Sequence, residues 1–174
     1  MRDTIRYGFI LALICSIASG LLASVNSLTK PKILEQERTR EEDSLREVFS
    51  EGVYFEPLKQ GEEVVYYKVY DKDDKFMGLA FKAAQKGYSS TIETMVGMTK
   101  DGVITNIKII NQNETPGLGN RITEPSFLQR FSKRNIQNLN EVEAITGATI
   151  SSRAVIEAVN KKAEEIERQI KDER

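Results

Sequence analysis

The chain has 174 residues, 40% of them hydrophobic and 29% charged, with a formal net charge of −1. That balance describes a folded protein and excludes both a disordered polyelectrolyte and a basic surface for nucleic acid. There is no histidine, and the one cysteine, Cys15, sits inside an apolar stretch. Zinc, haem and iron–sulfur sites are therefore excluded from the rest of the chain, and a cofactor there must be organic.

No charge interrupts Tyr7 to Thr29, where Phe9 to Cys15 is continued by Ile17, Leu21, Leu22 and Val25. The length approaches the roughly 20 apolar residues that cross a bilayer as a helix and exceeds the ~7–15 residue core of a cleavable signal peptide. Small residues at Ala18-Ser19-Gly20 and Leu22-Ala23-Ser24 offer cleavage sites, but the stretch reads as an uncleaved signal anchor. Arg2 and Arg6 precede it, and Lys30, Lys32, Arg38 and Arg40 follow it. Counted by positive charge alone, this does not favour export of the C-terminal part.

About 145 residues remain after the anchor, enough for one modest domain. Lys30 to Ser50 is rich in Glu and Arg around Ile33, Leu34, Leu45, Val48 and Phe49, which predicts a helix docking its last turns on that domain. Val64 to Tyr70, the turn Asp71–Asp74, and Phe76 to Ala84 read as one hairpin. Thr91 to Met98, the turn at Lys100-Asp101-Gly102, and Val103 to Asn111 read as a second. A helix begins at Pro125. A last one runs from Arg153 through Val155, Ile156, Val159 and Ile166 to Ile170, fraying from Glu164 onward. The expected fold is α+β, an antiparallel sheet with helices against one face.

Two segments carry chemistry. Before the last helix, Glu143-Ala144-Ile145-Thr146-Gly147-Ala148-Thr149-Ile150-Ser151-Ser152 gathers four hydroxyls. Unpaired N–H groups and the helix dipole favour an anion there, and Gly147 and Ala148 leave room beside the backbone. Taken alone, it also reads as an ordinary N-cap. The second segment is Asn113-Glu114-Thr115-Pro116-Gly117-Leu118-Gly119. Its proline and glycines suit either a Pro-Gly turn or a loop lying flat against a planar ring.

The first segment resembles the flavinylation motif of membrane-bound flavoproteins, with Glu143 where that motif has Asp. The second resembles the Glu-Thr-Pro-Gly-Leu-Gly signature of the FMN-binding domain found in the G subunit of the Rnf electron-transport complex and shared with the C subunit of the sodium-pumping NADH:quinone reductase. Gly87-Tyr88 resembles a further element of that family, although an aromatic at a strand edge more often packs than binds. The resemblance implies FMN phosphoester-linked to Thr149 by a separate Mg²⁺-dependent flavin transferase. Thr146, Gly147, Ala148, Ser151 and Ser152 would hold the phosphate end, and Glu114, Thr115, Pro116, Gly117, Leu118 and Gly119 would tune the ring. It implies a cytoplasmic N-terminus (1–6), a membrane span (7–29), a connecting helix (30–50) and an FMN-binding domain (51–174) outside the cytoplasmic membrane, the reverse of the charge count. The partners implied are the lipid bilayer, the transferase and the other subunits of an ion-translocating ferredoxin:NAD⁺ oxidoreductase. Two other readings compete: an anchored binding or sensory module without covalent flavin, and a structural stalk that would leave the Gly-Leu-Gly loop unexplained.

Overall fold

A computed structural model describes residues 2–61 and 63–172, and the chain divides into two compact units, residues 1–40 and 41–174. Helix α1 (Arg2–Val48) is continuous through both the apolar stretch and the charged segment after it. Pro31 lies inside it and removes the hydrogen bond that the Ser27 carbonyl would accept. Among the described residues α1 is the one helix long and apolar enough to cross a membrane.

The second unit is built on five antiparallel strands, β1 (Tyr54–Gln60), β2 (Glu63–Tyr70), β3 (Phe76–Lys86), β4 (Thr91–Thr99) and β5 (Ile104–Asn111). Each strand pairs with its neighbours in sequence, in the order β1-β2-β3-β4-β5. The two expected hairpins supply β2 to β5. The fifth strand, β1, has no apolar alternation to betray it, because it is an edge strand exposed at most of its positions. Its Pro57 is tolerable on an edge strand, where proline is ordinarily confined within a sheet. The β2–β3 turn is set by Asp71, whose Oδ1 accepts the N–H groups of Asp73 at 2.8 Å and Lys75 at 2.9 Å. The β4–β5 turn uses Gly102 at φ +74°.

Helices cover both faces of the sheet, not one. In β4, Ile92, Val96 and Met98 join the larger core with Phe81, Ile107, Phe127, Phe131, Val155, Val159 and Ile166. Met95 faces the other way, into a smaller cluster with Leu45, Val48, Phe49, Val69 and Ala80. The last turns of α1 are tied down on that side. The Thr105 hydroxyl donates to the Val48 carbonyl at 2.6 Å, Lys108 meets Glu47 at 2.6 Å, and Lys82 meets Glu41 at 2.8 Å.

Beyond β5 the chain makes a 3-10 turn (Gly119–Thr123), a single turn of helix α2 (Pro125–Leu128), a second 3-10 turn (Ile136–Glu141) and α3 (Thr149–Asp172). The expected helix at Pro125 is thus four residues long, held by a T-shaped Phe127–Phe131 pair at 5.4 Å. Helix α3 does not fray at Glu164: Ala163 and Ile166 are fully buried and carry it onward.

Candidate functional site

Three loops meet at one end of the sheet. The first is the β3–β4 turn, Gly87 to Ser90, closed by the Gly87 N–H on the Ser90 carbonyl at 2.8 Å. The second is the segment Glu114 to Gly119. There the Thr115 carbonyl accepts the N–H groups of Leu118 at 3.2 Å and Asn120 at 3.3 Å, and Gly117 takes φ +75°. The third is the turn before α3, where Gly147 takes φ +84° and the Ala148 N–H donates to the Ile145 carbonyl at 2.9 Å.

That third turn is fixed from inside. Ser152 is wholly buried; its Oγ accepts the Ile145 N–H at 3.1 Å and donates to the Ala148 carbonyl. The Ser152 N–H makes the first helical bond, also to Ala148, at 2.9 Å. Thr149, Ile150 and Ser151 therefore form the first turn of α3, whose N–H groups precede the helix's own bonding pattern. From outside, Arg121 Nη1 donates to the Thr146 carbonyl at 3.4 Å and Arg130 Nη1 to the Glu143 carbonyl at 2.8 Å.

The three loops enclose a cavity of about 530 Å³, within the usual range for small-molecule sites. Tyr88 lines it from the first loop, Glu114, Thr115, Leu118 and Gly119 from the second, and Gly147 to Ser151 from the third. The two sequence segments are thus brought to one place. Thr149 is exposed at the mouth, and Tyr88, Leu118 and Ile150 present exposed apolar surface around it. An added Cβ on Gly147 would meet nothing within 4 Å, so the backbone there is open to a bulky group.

Four of the expected site residues are not part of the lining: Thr146, Pro116, Gly117 and Ser152. Ser152 cannot turn toward the cavity because its hydroxyl holds the turn together. Ser151 lines the cavity, but its hydroxyl donates to Glu114 Oε2 at 2.6 Å. Two contributors had not been singled out. Ile150 stands on the same helical face as Arg153, Glu157 and Lys161, and an isoleucine on a charged face was the readable signal. Arg121, bridging two loops, had none.

Glu114 is 5% exposed. Burial alone would raise its carboxyl, but the hydroxyl of Ser151 and the N–H groups of Ser90, Ser89 and Tyr88 outweigh that and hold it below the usual range.

Residues 87–164 match the family model of the FMN-binding domain, and residues 1–48 that of the RnfG N-terminal region. The chain is similar to the G subunit of the proton-translocating ferredoxin:NAD(+) oxidoreductase complex of Clostridium ljungdahlii, 27% identical over 90% of this chain and 88% of that one. It is also similar to the G subunit of the ion-translocating oxidoreductase complex of Escherichia coli K12, 30% identical over 92% of this chain and 90% of that one. Its fold is that of the crystal structure of Shewanella oneidensis NqrC, with a TM-score of 0.50 at 20% identity. That match covers 65% of this chain and 66% of the other, just under two thirds of its length. With two family models covering its ends and a relative matched along nearly its whole length, the chain belongs to the RnfG family, the G subunits of the Rnf ion-translocating oxidoreductase complexes.

Proposed function

We propose that this chain is an electron-transfer subunit of a membrane-bound ion-translocating ferredoxin:NAD⁺ oxidoreductase complex, with FMN joined through its phosphate to Thr149. The observation that carries the reading is the meeting of two sequence segments, one on each side of a single cavity with an exposed threonine at its mouth. FMN, once bound, supplies one- and two-electron exchange.

The residues present fit that group. Thr149 Oγ is accessible for a phosphoester, and the N–H groups and dipole of the first turn of α3 favour the phosphate's charge. Gly147 leaves the backbone open beside it, while Tyr88, Leu118 and Ile150 offer apolar surface to a ring. The one carboxylate that lines the cavity, Glu114, is occupied by Tyr88, Ser89, Ser90 and Ser151, and a separate flavin transferase would supply the activation of Thr149. Glu143 has an exposed side chain and a carbonyl held by Arg130, so its carboxylate would be free to meet such an enzyme. The anchor is residues 7–29 of α1, in the cytoplasmic membrane, with the FMN domain on the extracytoplasmic side and the other Rnf subunits as partners. Residues 51–174 form that domain, together with the last turns of α1.

The test is the intact mass of the chain after co-expression with a flavin transferase, beside Thr149→Ala. A gain of FMN less one water, absent from the variant, is expected. An unmodified wild type, with the transferase active on another acceptor, would instead favour an anchored binding module of the same fold.

A further inference from the structure

Glu114 is the one buried charged side chain among the described residues. All its partners come from loops that wall the cavity. Oε1 accepts the N–H groups of Ser89 and Ser90, both at 3.0 Å, with the Ser90 hydroxyl at 3.5 Å. Oε2 accepts the Tyr88 N–H at 3.2 Å and the Ser151 hydroxyl at 2.6 Å. The Ser90 hydroxyl in turn accepts the Asn113 N–H at 2.7 Å, next to Glu114 in the chain. A carboxylate offers about four acceptor positions, so this one is saturated by the protein itself.

The surroundings are shaped to the carboxylate. A Cβ on Gly87 would fall 2.7 Å from Oε1, and one on Gly119 would fall 2.8 Å from Oε2. Among the described residues, none of the cations on the elements packed against it forms an ion pair with Glu114. Lys86 and Arg153 are exposed, and Arg121 is engaged by Glu124 at 3.3 Å and by the Thr146 carbonyl. Three N–H groups and two hydroxyls, that of Ser90 the more distant, solvate the charge in place of a cation. Such charge-assisted hydrogen bonds are stronger than neutral ones, and they weaken when the acceptor is protonated.

We propose that Glu114 is a positioning residue, an anionic clasp that joins the Tyr88–Ser90 turn, the Glu114–Gly119 segment and the first turn of α3 into one cavity wall. It does not act as a hydrogen-bonding partner of whatever the cavity holds. Its oxygens are occupied, and the residues it fixes, Tyr88 and the turn carrying Thr149, are the ones that face the opening. That the wall serves a flavin rests on the reading above; the clasp itself does not.

The depressed carboxyl gives the sign of its pH dependence. The clasp is complete above the ordinary carboxylate range, about 4.3 for an unperturbed Glu, and is lost as pH falls through the lower value of the folded state.

The experiment is amide hydrogen exchange on the full, flavin-free chain in detergent, read as protection factors so that intrinsic rates cancel. In Glu114→Gln the Tyr88, Ser89 and Ser90 amides lose about tenfold or more of their protection, while amides at the centre of β3 and β4 keep theirs. In the wild type the same three amides lose protection on acidification below the carboxylate range, and Glu114→Gln removes that dependence. Unchanged protection at 88–90 in Glu114→Gln, or a loss spread evenly over the sheet, overturns the proposal. Where Glu114→Gln fails to fold, the wild-type pH series decides alone. A wild type that never gains the mass of a flavin would remove the flavin reading and leave these exchange rates as they are.

Discussion

A Cβ on Gly119 would stand 2.7 Å from Ser151 Oγ, so the signature loop and the first turn of α3 touch through the space that glycine leaves. Gly117, two residues away, has open space around it but takes φ +75°. The two glycines are therefore needed for different reasons. Gly119→Ala forces apart Ser151 and Glu114 and should cost about 1–3 kcal/mol, as overpacking does. Gly117→Ala meets only left-handed strain, about 1 kcal/mol. Chemical denaturation of the two variants checks the order, and equal losses would contradict it.

Ser152→Ala and Thr146→Ala separate a hydroxyl that builds the turn from one that merely borders it. Removing the Ser152 hydroxyl leaves the buried Ile145 N–H without its partner, at a cost of about 1–3 kcal/mol. Thr146 is exposed, and its replacement should stay within about 0.5 kcal/mol. A Thr146→Ala variant as damaged as Ser152→Ala would refute this division.

Thr94 is fully buried on the side of β4 that faces α3, and its hydroxyl has no hydrogen-bond partner. Valine has the same shape without the stranded oxygen. Thr94→Val should raise stability by about 1 kcal/mol, seen as a higher denaturation midpoint with an unchanged slope. A clear loss of stability would mean that the hydroxyl is satisfied in solution.

Tyr67 donates its hydroxyl to Glu41 at 2.6 Å, tying β2 to the last turns of α1. Burial first, then the bond to Glu41 and the carboxylates of Glu41 and Glu42, push its phenol well above the ordinary tyrosine value. The folded state then holds a proton that the unfolded state releases above about pH 10, so stability falls as pH rises beyond that point. Tyr67→Phe should cost about 1 kcal/mol at neutral pH and flatten the alkaline decline. Thermal unfolding between pH 7 and 11 reads both effects, and an alkaline decline as steep as the wild type's would count against the pairing.

The sequence is most legible where one physical rule acts alone. The hairpins from Val64 to Asn111 show through their alternation and turn residues, and α3 shows through the spacing of Val155, Val159 and Ile166. Strand β1 does not, since an exposed edge carries no hydrophobic period. Nor does the covering of both sheet faces, because that depends on which face of the sheet Leu45 and Val48, in the last turn of α1, and Phe49 just after it pack against. At the site, both segments could be read from their residues and their resemblance. The inward turn of Ser152 and the saturation of Glu114 could not, because a hydroxyl or a carboxylate in a motif does not disclose which neighbours will reach it first.

Strands β1 to β5 pair only with sequence neighbours, so the sheet can grow hairpin by hairpin as the chain is made. The cavity cannot. One part of its lining waits for α3, which comes after all five strands, to pack on β3 and β4 and bring Ser151 to Glu114. A polypeptide stalled before α3 would have all five strands and only part of the cavity's lining. Loading of the site therefore reports that folding is finished.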